Sequence, residues 1–403
     1  MIKIILPSLM LTLLLVTTPI ISSGINLEKE VFINNLTQLT YMNFVSRKTI
    51  YVGGSGPGNY SKIQSAIDNA SEGDTIFVYD DSSPYNENIK IKKTITLKGE
   101  DRNTTVISAV GGYHVVYIKA SYVELTGFTI TNGTEPYDQI LIISSNYNKI
   151  YGNIVANGKF NGIEISSSNY NIIQNCIISN SKNVGIMLYD SSYNNISNNK
   201  IMSNNRGIDL YYSTNNTVYG NLIDNNYDGL GLYWGSAYHS SSYNIIKKNV
   251  ISNNAPGDGI CLLGKSSGEL THNIITENNV TSNIGGITLC SYTSNNMVYH
   301  NNVINNVDNG YDVGYNNIWY NGKEGNYWGD YREKYPNAQP RQLRPWIWNT
   351  PYKTAGESNS KDRFPLVNQY TGSIKSRQTQ KALHYEKLFY VILSKINNIF
   401  IRK

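Results

Sequence analysis

One spacing governs this chain. Aliphatic residues at Leu125, Ile150, Ile173, Ile196, Val218, Ile246, Ile275 and Val298 recur at intervals of 22 to 29 residues, mostly followed three positions later by Asn. A second aliphatic closes each pattern five residues on, at Ile130, Val155, Ile178, Ile201, Ile223, Ile251, Val280 and Val303. A strand-like run then opens with glycine, at Gly162, Gly185, Gly207, Gly229, Gly259, Gly286 and Gly310. Such short alternating segments cannot bury their apolar side alone, but stacked units share one continuous core. A period of two dozen residues without helical periodicity predicts an all-β, right-handed, single-stranded parallel β-helix.

The asparagines fit that coil. Equivalent positions of successive turns sit about 4.8 Å apart, so stacked Asn amides can hydrogen-bond along a ladder. Asn153, Asn199, Asn221, Asn249, Asn278 and Asn301 form one such column, interrupted by Cys176. Asn also tolerates the left-handed backbone that corners require.

Open solenoid ends expose strand edges and need covers. At the N-terminal end Ile63, Ala66, Ile67 and Ala70 share one helical face, with Ser61 as the expected N-cap. At the other end the repeat gives way to "GNYWGDYREKYPNAQPRQLRPWIWNTPYK", an irregular cap. The expected organisation is a signal peptide or N-terminal anchor (1–24), an extension (25–46), the capped β-helix (47–320), the C-terminal cap region (321–371), and a linker with a basic amphipathic helix (372–403). Residues 381–403 of that last segment could lie on a membrane surface or dock on the solenoid.

Lys3 ahead of an apolar run ending in small residues predicts export, to a secreted or cell-surface location. Eight N-x-S/T sequons agree with a glycosylated exported protein. The formal charge of +5 is scattered rather than striped, which gives no basis for nucleic-acid binding. Three cysteines are too few for a disulfide framework or a C-x-x-C metal site.

Function on a β-helix belongs to its outward columns. On the glycine-led strands these read Glu164, Met187, Asp209, Gly231, Cys261, Thr288 and Asp312, and ahead of the glycines Asn161, Val184, Arg206, Asp228, Asp258, Gly285 and Asn309. Glu164 and Asp209, two coils apart, would stand about 9 to 10 Å from each other along the stack, a separation that suits inverting glycoside hydrolysis. Arg206, beside Asp228 and on the strand of Asp209, could orient an acidic sugar or act as a lyase base. An ordinary surface ion pair explains the same residues. Tyr189, Tyr211 and Tyr233 form a further column, with Tyr212 and Trp234 in the next. These rings could stack on sugars or on each other. Asp228 could belong to that glycan face or, with Asp258, ligate calcium. No cofactor is evident; calcium and copper lack a dense ligand set.

The stretch "YSKIQSAIDNASEGDTIFVYDDSSPYNENIKIKKTITLKGEDRNTTVI", the "NxIxxNxIxxNxxGIxL" coils and the terminal "GNYWGDY … TPY … FPL" resemble the exported β-helix proteins of NosD type, also grouped as carbohydrate-binding and sugar-hydrolase (CASH) domains and common in archaea. The resemblance spans roughly residues 48 to 367 and implies two functions: polysaccharide or glycan binding, with glycoside hydrolase or polysaccharide lyase activity, or copper handling outside the cytoplasm. It supplies no catalytic motif to carry over. Where many relatives have an acidic Asp/Gly-rich loop, this chain has "PNAQPRQLRPWIWN", so a calcium site there is not expected. A third reading is a structural or adhesive surface protein without chemistry.

Overall fold

The computed structural model describes residues 47–234 and 240–372. The N-terminal export segment, residues 235–239 and the basic segment 381–403 lie outside the described residues. The strands form three long parallel sheets of 11, 10 and 11 members in which each strand pairs with its counterparts in the preceding and following coils. That connectivity is the right-handed parallel β-helix read from the repeat. The aliphatic columns point inward: Ile150, Ile173, Ile196, Val218 and Ile246 are all fully buried, as are Val155, Ile178, Ile201 and Ile223.

Each of the leading glycines has a steric reason. A Cβ on Gly207 would stand 2.4 Å from the carbonyl oxygen of Gly229 and 2.7 Å from Cγ2 of Ile223, so the coil packs its backbone where a side chain would go. The same contact recurs along the column, from Gly162 to Gly259.

Asparagine forms three ladders, one of them the expected column. In the expected column Asn221 Nδ2 donates to Oδ1 of Asn249 (3.0 Å) and to the carbonyl of Ile196 (2.9 Å), while its backbone N–H also reaches Asn249 Oδ1 (2.9 Å). A second ladder runs through Asn171, Asn194, Asn216, Asn244, Asn273 and Asn296, and a third through Asn204, Asn226, Asn254 and Asn283. These buried amides satisfy corner backbone groups that no ladder strand reaches. The left-handed residues are a separate set. Tyr122, Tyr147, Tyr170 and Tyr193, one corner column, have φ of 58 to 60°. Their rings stack at 5.0 to 5.1 Å, nearly parallel, and each stack offsets part of the backbone cost.

The helix Ile63–Asn69 covers the N-terminal end with Ile63, Ala66 and Ile67 buried. Its cap differs from expectation. Lys62, not Ser61, is the N-cap residue, and no side chain of its own caps it. The carboxylate of Glu87 does so from a neighbouring coil, accepting from the N–H groups of Ile63 (2.8 Å) and Gln64 (3.0 Å). A distant carboxylate can replace a local cap because it meets the same free donors.

Candidate functional site

The ten-stranded sheet carries the predicted residues. Its strands include Ile89–Ile91, Val116–Ile118, Ile140–Ile143, Ile163–Ser166, Val184–Tyr189, Arg206–Tyr211, Asp228–Tyr233 and Asp258–Leu263. Registers place Glu164, Met187, Asp209, Gly231, Cys261 and Thr288 side by side in one column, as read from sequence, and add Leu141 ahead of them. The column ends differently: Tyr311, not Asp312, pairs with Thr288, and Asp308, not Asn309, pairs with Gly285. The last coil lacks the two-residue step between column and glycine that its predecessors keep. Asp312 is instead buried and accepts from Trp319 Nε1 at 2.8 Å.

The glycine also aims the site. Gly207 and Ile208 both face the interior, which breaks strict alternation and leaves Arg206 and Asp209 together on the outer side. Their ion pair is short, Nη1 to Oδ2 3.0 Å. Arg206 further donates to the Tyr211 hydroxyl (2.9 Å) and to Asn183 Oδ1 (3.3 Å). Asp209 was expected to face solvent, yet its side chain is 0% exposed. Tyr233 folds back across Gly231, the register partner of Asp209: a Cβ there would lie 2.1 Å from its ring. Gly231 thus makes room for the ring that covers the carboxylate.

Burial pushes the Asp209 carboxyl up to about 7 against the pull of Arg206. Glu164 rises to about 7 as well, through burial and then through the nearby Asp138 carboxylate, while Asn161 donates to it at 2.9 Å. Both acids on this face are thus held above the usual carboxylate range, chiefly by burial. Asp228 is raised by burial and accepts the backbone N–H of Asp258 at 3.1 Å, so its carboxylate serves the backbone. Among the described residues no group of three or more His, Cys, Asp and Glu side chains is placed to hold a metal ion.

The tyrosine column is in register, Tyr189 to Tyr211 to Tyr233. Tyr211 and Tyr233 stack at 5.0 Å. Tyr189 meets Tyr212 edge-on at 5.6 Å, and Tyr211 meets Trp234 likewise at 5.5 Å. Tyr189 (42% exposed) and Trp234 (39%) leave ring surface open to a ligand. Among the described residues the histidines stand apart: His272 stacks on Tyr243, whereas His300 is buried against Glu324 at 2.9 Å.

Two arrangements escaped the sequence. His114 Nδ1 accepts the backbone N–H of Asp138 at 3.0 Å and lies 3.2 Å from its carboxylate, ringed by Tyr113, Tyr117 and Tyr137. Their coils precede the first glycine-led strand, so no marker gave their register. Cys261 and Cys290 also meet: the contact raises the Cys261 thiol and lowers that of Cys290. Cys290 lies just past the strand that pairs with Cys261, where only the turn geometry brings it back.

The family described as periplasmic copper-binding protein (NosD) matches residues 67–240 and 234–333. No curated protein matches the chain by sequence. Among solved structures, the A-module of the mannuronan C-5 epimerase AlgE6 of Azotobacter vinelandii superposes with a TM-score of 0.52 at 14% identity, over 74% of this chain and 83% of that one. The pectate lyase Pel9A gives 0.53 at 13% identity, over 72% and 82%. The Dettilon tailspike protein gives 0.50 at 17%, over 69% and 61%. At such identities the likeness is one of fold.

Proposed function

We propose that this chain, which belongs to the NosD family, is an extracytoplasmic β-helix that binds a polysaccharide on the outer face of its ten-stranded sheet. The carrying observation is the in-register column Tyr189, Tyr211 and Tyr233, flanked by Tyr212 and Trp234 and set beside Arg206 and Glu164. Open rings bind sugar faces through CH groups, and polar neighbours bind the hydroxyls. Solved β-helices of similar fold include an epimerase and a lyase named for polysaccharide substrates, which agrees with this reading. The family's periplasmic description supports a place outside the cytoplasm.

Any hydrolase or lyase activity would fall to Glu164, Asp209 and Arg206. Glu164 is the more accessible acid; Asp209 could act only once Tyr233 swings off Gly231. The test is incubation with a polysaccharide panel and mass spectrometry of products for the parent, Glu164→Gln and Asp209→Asn. Equal product from all three removes the catalytic assignment, and absence of binding by the parent to every polymer removes the reading itself.

A second reading is favoured by the family description and by one contact, that of the Cys261 and Cys290 thiols. Two thiolates suit a two-coordinate soft ion such as Cu(I), carried as cargo. They do not furnish a four-ligand site. Anaerobic Cu(I) titration should then give one ion per chain, abolished by Cys261→Ser with Cys290→Ser and indifferent to His272→Ala. Uptake that persists in the double variant would exclude it.

A further inference from the structure

The outer face of the same sheet changes character toward its N-terminal coils. The column that holds Tyr189, Tyr211 and Tyr233 runs back through Ser166 and Ile143. Ile118 pairs with Ile142 and with Ile91, so the next residues of this column are Lys119 and Lys92. The neighbouring column, which holds Glu164 and Leu141, runs back to Tyr117 and Lys90. Lys90, Lys92 and Lys119, with Tyr113 and Tyr117, line a cleft of about 430 Å³. All three lysines are exposed, and none is in an ion pair with a carboxylate among the described residues. Lys90 Nζ lies 4.2 Å from the Tyr113 ring centroid.

Three ammonium groups in two adjacent coils, one over the Tyr113 ring and none paired with a carboxylate among the described residues, favour an anion among them. The acids further along the face do not fill that role. Asp138 is buried beneath His114, whose Nδ1 accepts its backbone N–H at 3.0 Å, and Glu164 is bonded by Asn161 two coils beyond Tyr117. The cleft therefore keeps a positive field directed outward.

We infer that the polysaccharide is anionic and lies along the solenoid axis, its carboxylate or sulfate groups over Lys90, Lys92 and Lys119 and its sugar faces over Tyr189, Tyr211 and Tyr233. The inference rests on the glycan reading above and sharpens its ligand class. Six coil steps separate Lys92 from Tyr233, about 29 Å at the ordinary strand spacing, which is the span of an oligosaccharide rather than a single sugar. Sharing one column, the lysines and the rings would contact one chain in a fixed direction. The lysines act as point charges and read charge more than geometry, so a uronate and a sulfated polymer both qualify.

The test is affinity electrophoresis of the exported chain in gels holding polygalacturonate, a sulfated polysaccharide or neutral dextran, at 50 and 200 mM salt, with anionic phosphatidylglycerol vesicles as a competing arm. Expected is at least tenfold tighter binding to one polyanion than to dextran, weakened severalfold by the higher salt. The pair Lys92→Ala with Lys119→Ala should lower polyanion binding about tenfold while leaving the melting temperature unchanged, and Tyr211→Ala should weaken the same polymer. Which polyanion binds separates carboxylate from sulfate. Equal binding to dextran, with no effect of the lysine pair, overturns the inference yet leaves the glycan reading standing. Polyanion binding that ignores Tyr211→Ala overturns the shared track, and tighter binding to vesicles than to any polymer overturns the glycan as occupant. Failure to bind any of the three polymers removes both readings.

Discussion

Asp209 shows how one residue can be both visible and hidden in a sequence. Its place on the strand of Arg206 was countable from the glycine, and the 3.0 Å pair follows. Its burial was not countable, because that depends on the side-chain angle at which Tyr233 crosses Gly231. The result is a carboxyl raised to about 7 by burial, with Arg206 as its counter-charge. The folded state holds a proton on Asp209 at pH values where the unfolded chain has lost it, so stability falls as pH rises from about 4 to about 7. Arg206→Ala should cost about 3 kcal/mol above that window, where a charged carboxylate is left buried without a partner. At pH 5 the cost should be much smaller, since a protonated carboxyl needs no cation. Urea melts of parent and variant at pH 5 and pH 8 check this; an equal loss at both values would show that Arg206 acts through packing alone. The thiols divide in the same way. Cys290 is lowered by its contact with Cys261, whereas burial raises Cys176 to about 11. Iodoacetamide at pH 7.5 should therefore label Cys290 first and Cys176 only after unfolding, as peptide mass spectrometry would report. Early labelling of Cys261 would contradict the assigned direction of that contact.

At the scale of one coil, the asparagine ladders carry what the aliphatic core cannot. Inward Ile and Val columns fix which way each strand faces, but corners leave backbone groups that only side-chain amides reach. One ladder was legible because its Asn sits at a fixed step between two aliphatics. The other two keep steps just as fixed, one Asn two residues ahead of the first aliphatic and another three behind the second, so the same count reaches them. Asn221 joins its neighbours through both its N–H groups and its carbonyl, all buried. Replacement by Ala strands the Asn199 N–H and the Ile196 carbonyl and should cost about 2 to 4 kcal/mol. Cys176 interrupts this column naturally: its sulfur reaches Gln174 O at 3.4 Å and Ile150 O at 3.7 Å, longer contacts than the 2.9 to 3.1 Å that the Asn199 amide makes. Cys176→Asn should restore the ladder between Asn153 and Asn199 and raise stability by about 1 kcal/mol. A lower melting temperature for Cys176→Asn would mean that the amide does not fit where the thiol does.

Across the molecule, stability depends on how the stack is closed. Each coil touches only its neighbours, so an unprotected terminal coil can open without the rest. The repeat announced where the coils stop being periodic, but the closure comes from contacts between segments distant in sequence, which periodicity cannot reveal. Asn326 receives the amide of Asn301 and so ends the ladder. Its own N–H is taken by Asp362 Oδ2 at 2.7 Å, which also accepts from Trp328 Nε1 at 3.0 Å, while Oδ1 accepts from Phe364 N–H at 2.9 Å. Trp328 in turn lies flat on Tyr352 at 4.0 Å. One fully buried carboxylate thus ties the last rung to the chain that folds over it. Asp362→Ala leaves three buried donors without acceptors and should cost about 3 kcal/mol or more. The loss should be local: amides of Asn302–Ile304 and Asp308–Asp312 should exchange with deuterium faster, while those of Thr75–Val78 at the far end keep the parental rate. Asp362→Asn, which retains one acceptor oxygen, should fall between the two. Opening the last rung also bares strand edges, so light scattering should detect association in Asp362→Ala at concentrations where the parent stays dispersed. Faster exchange spread evenly over all coils would show instead that the solenoid opens as a single unit and that this carboxylate is not a separate latch.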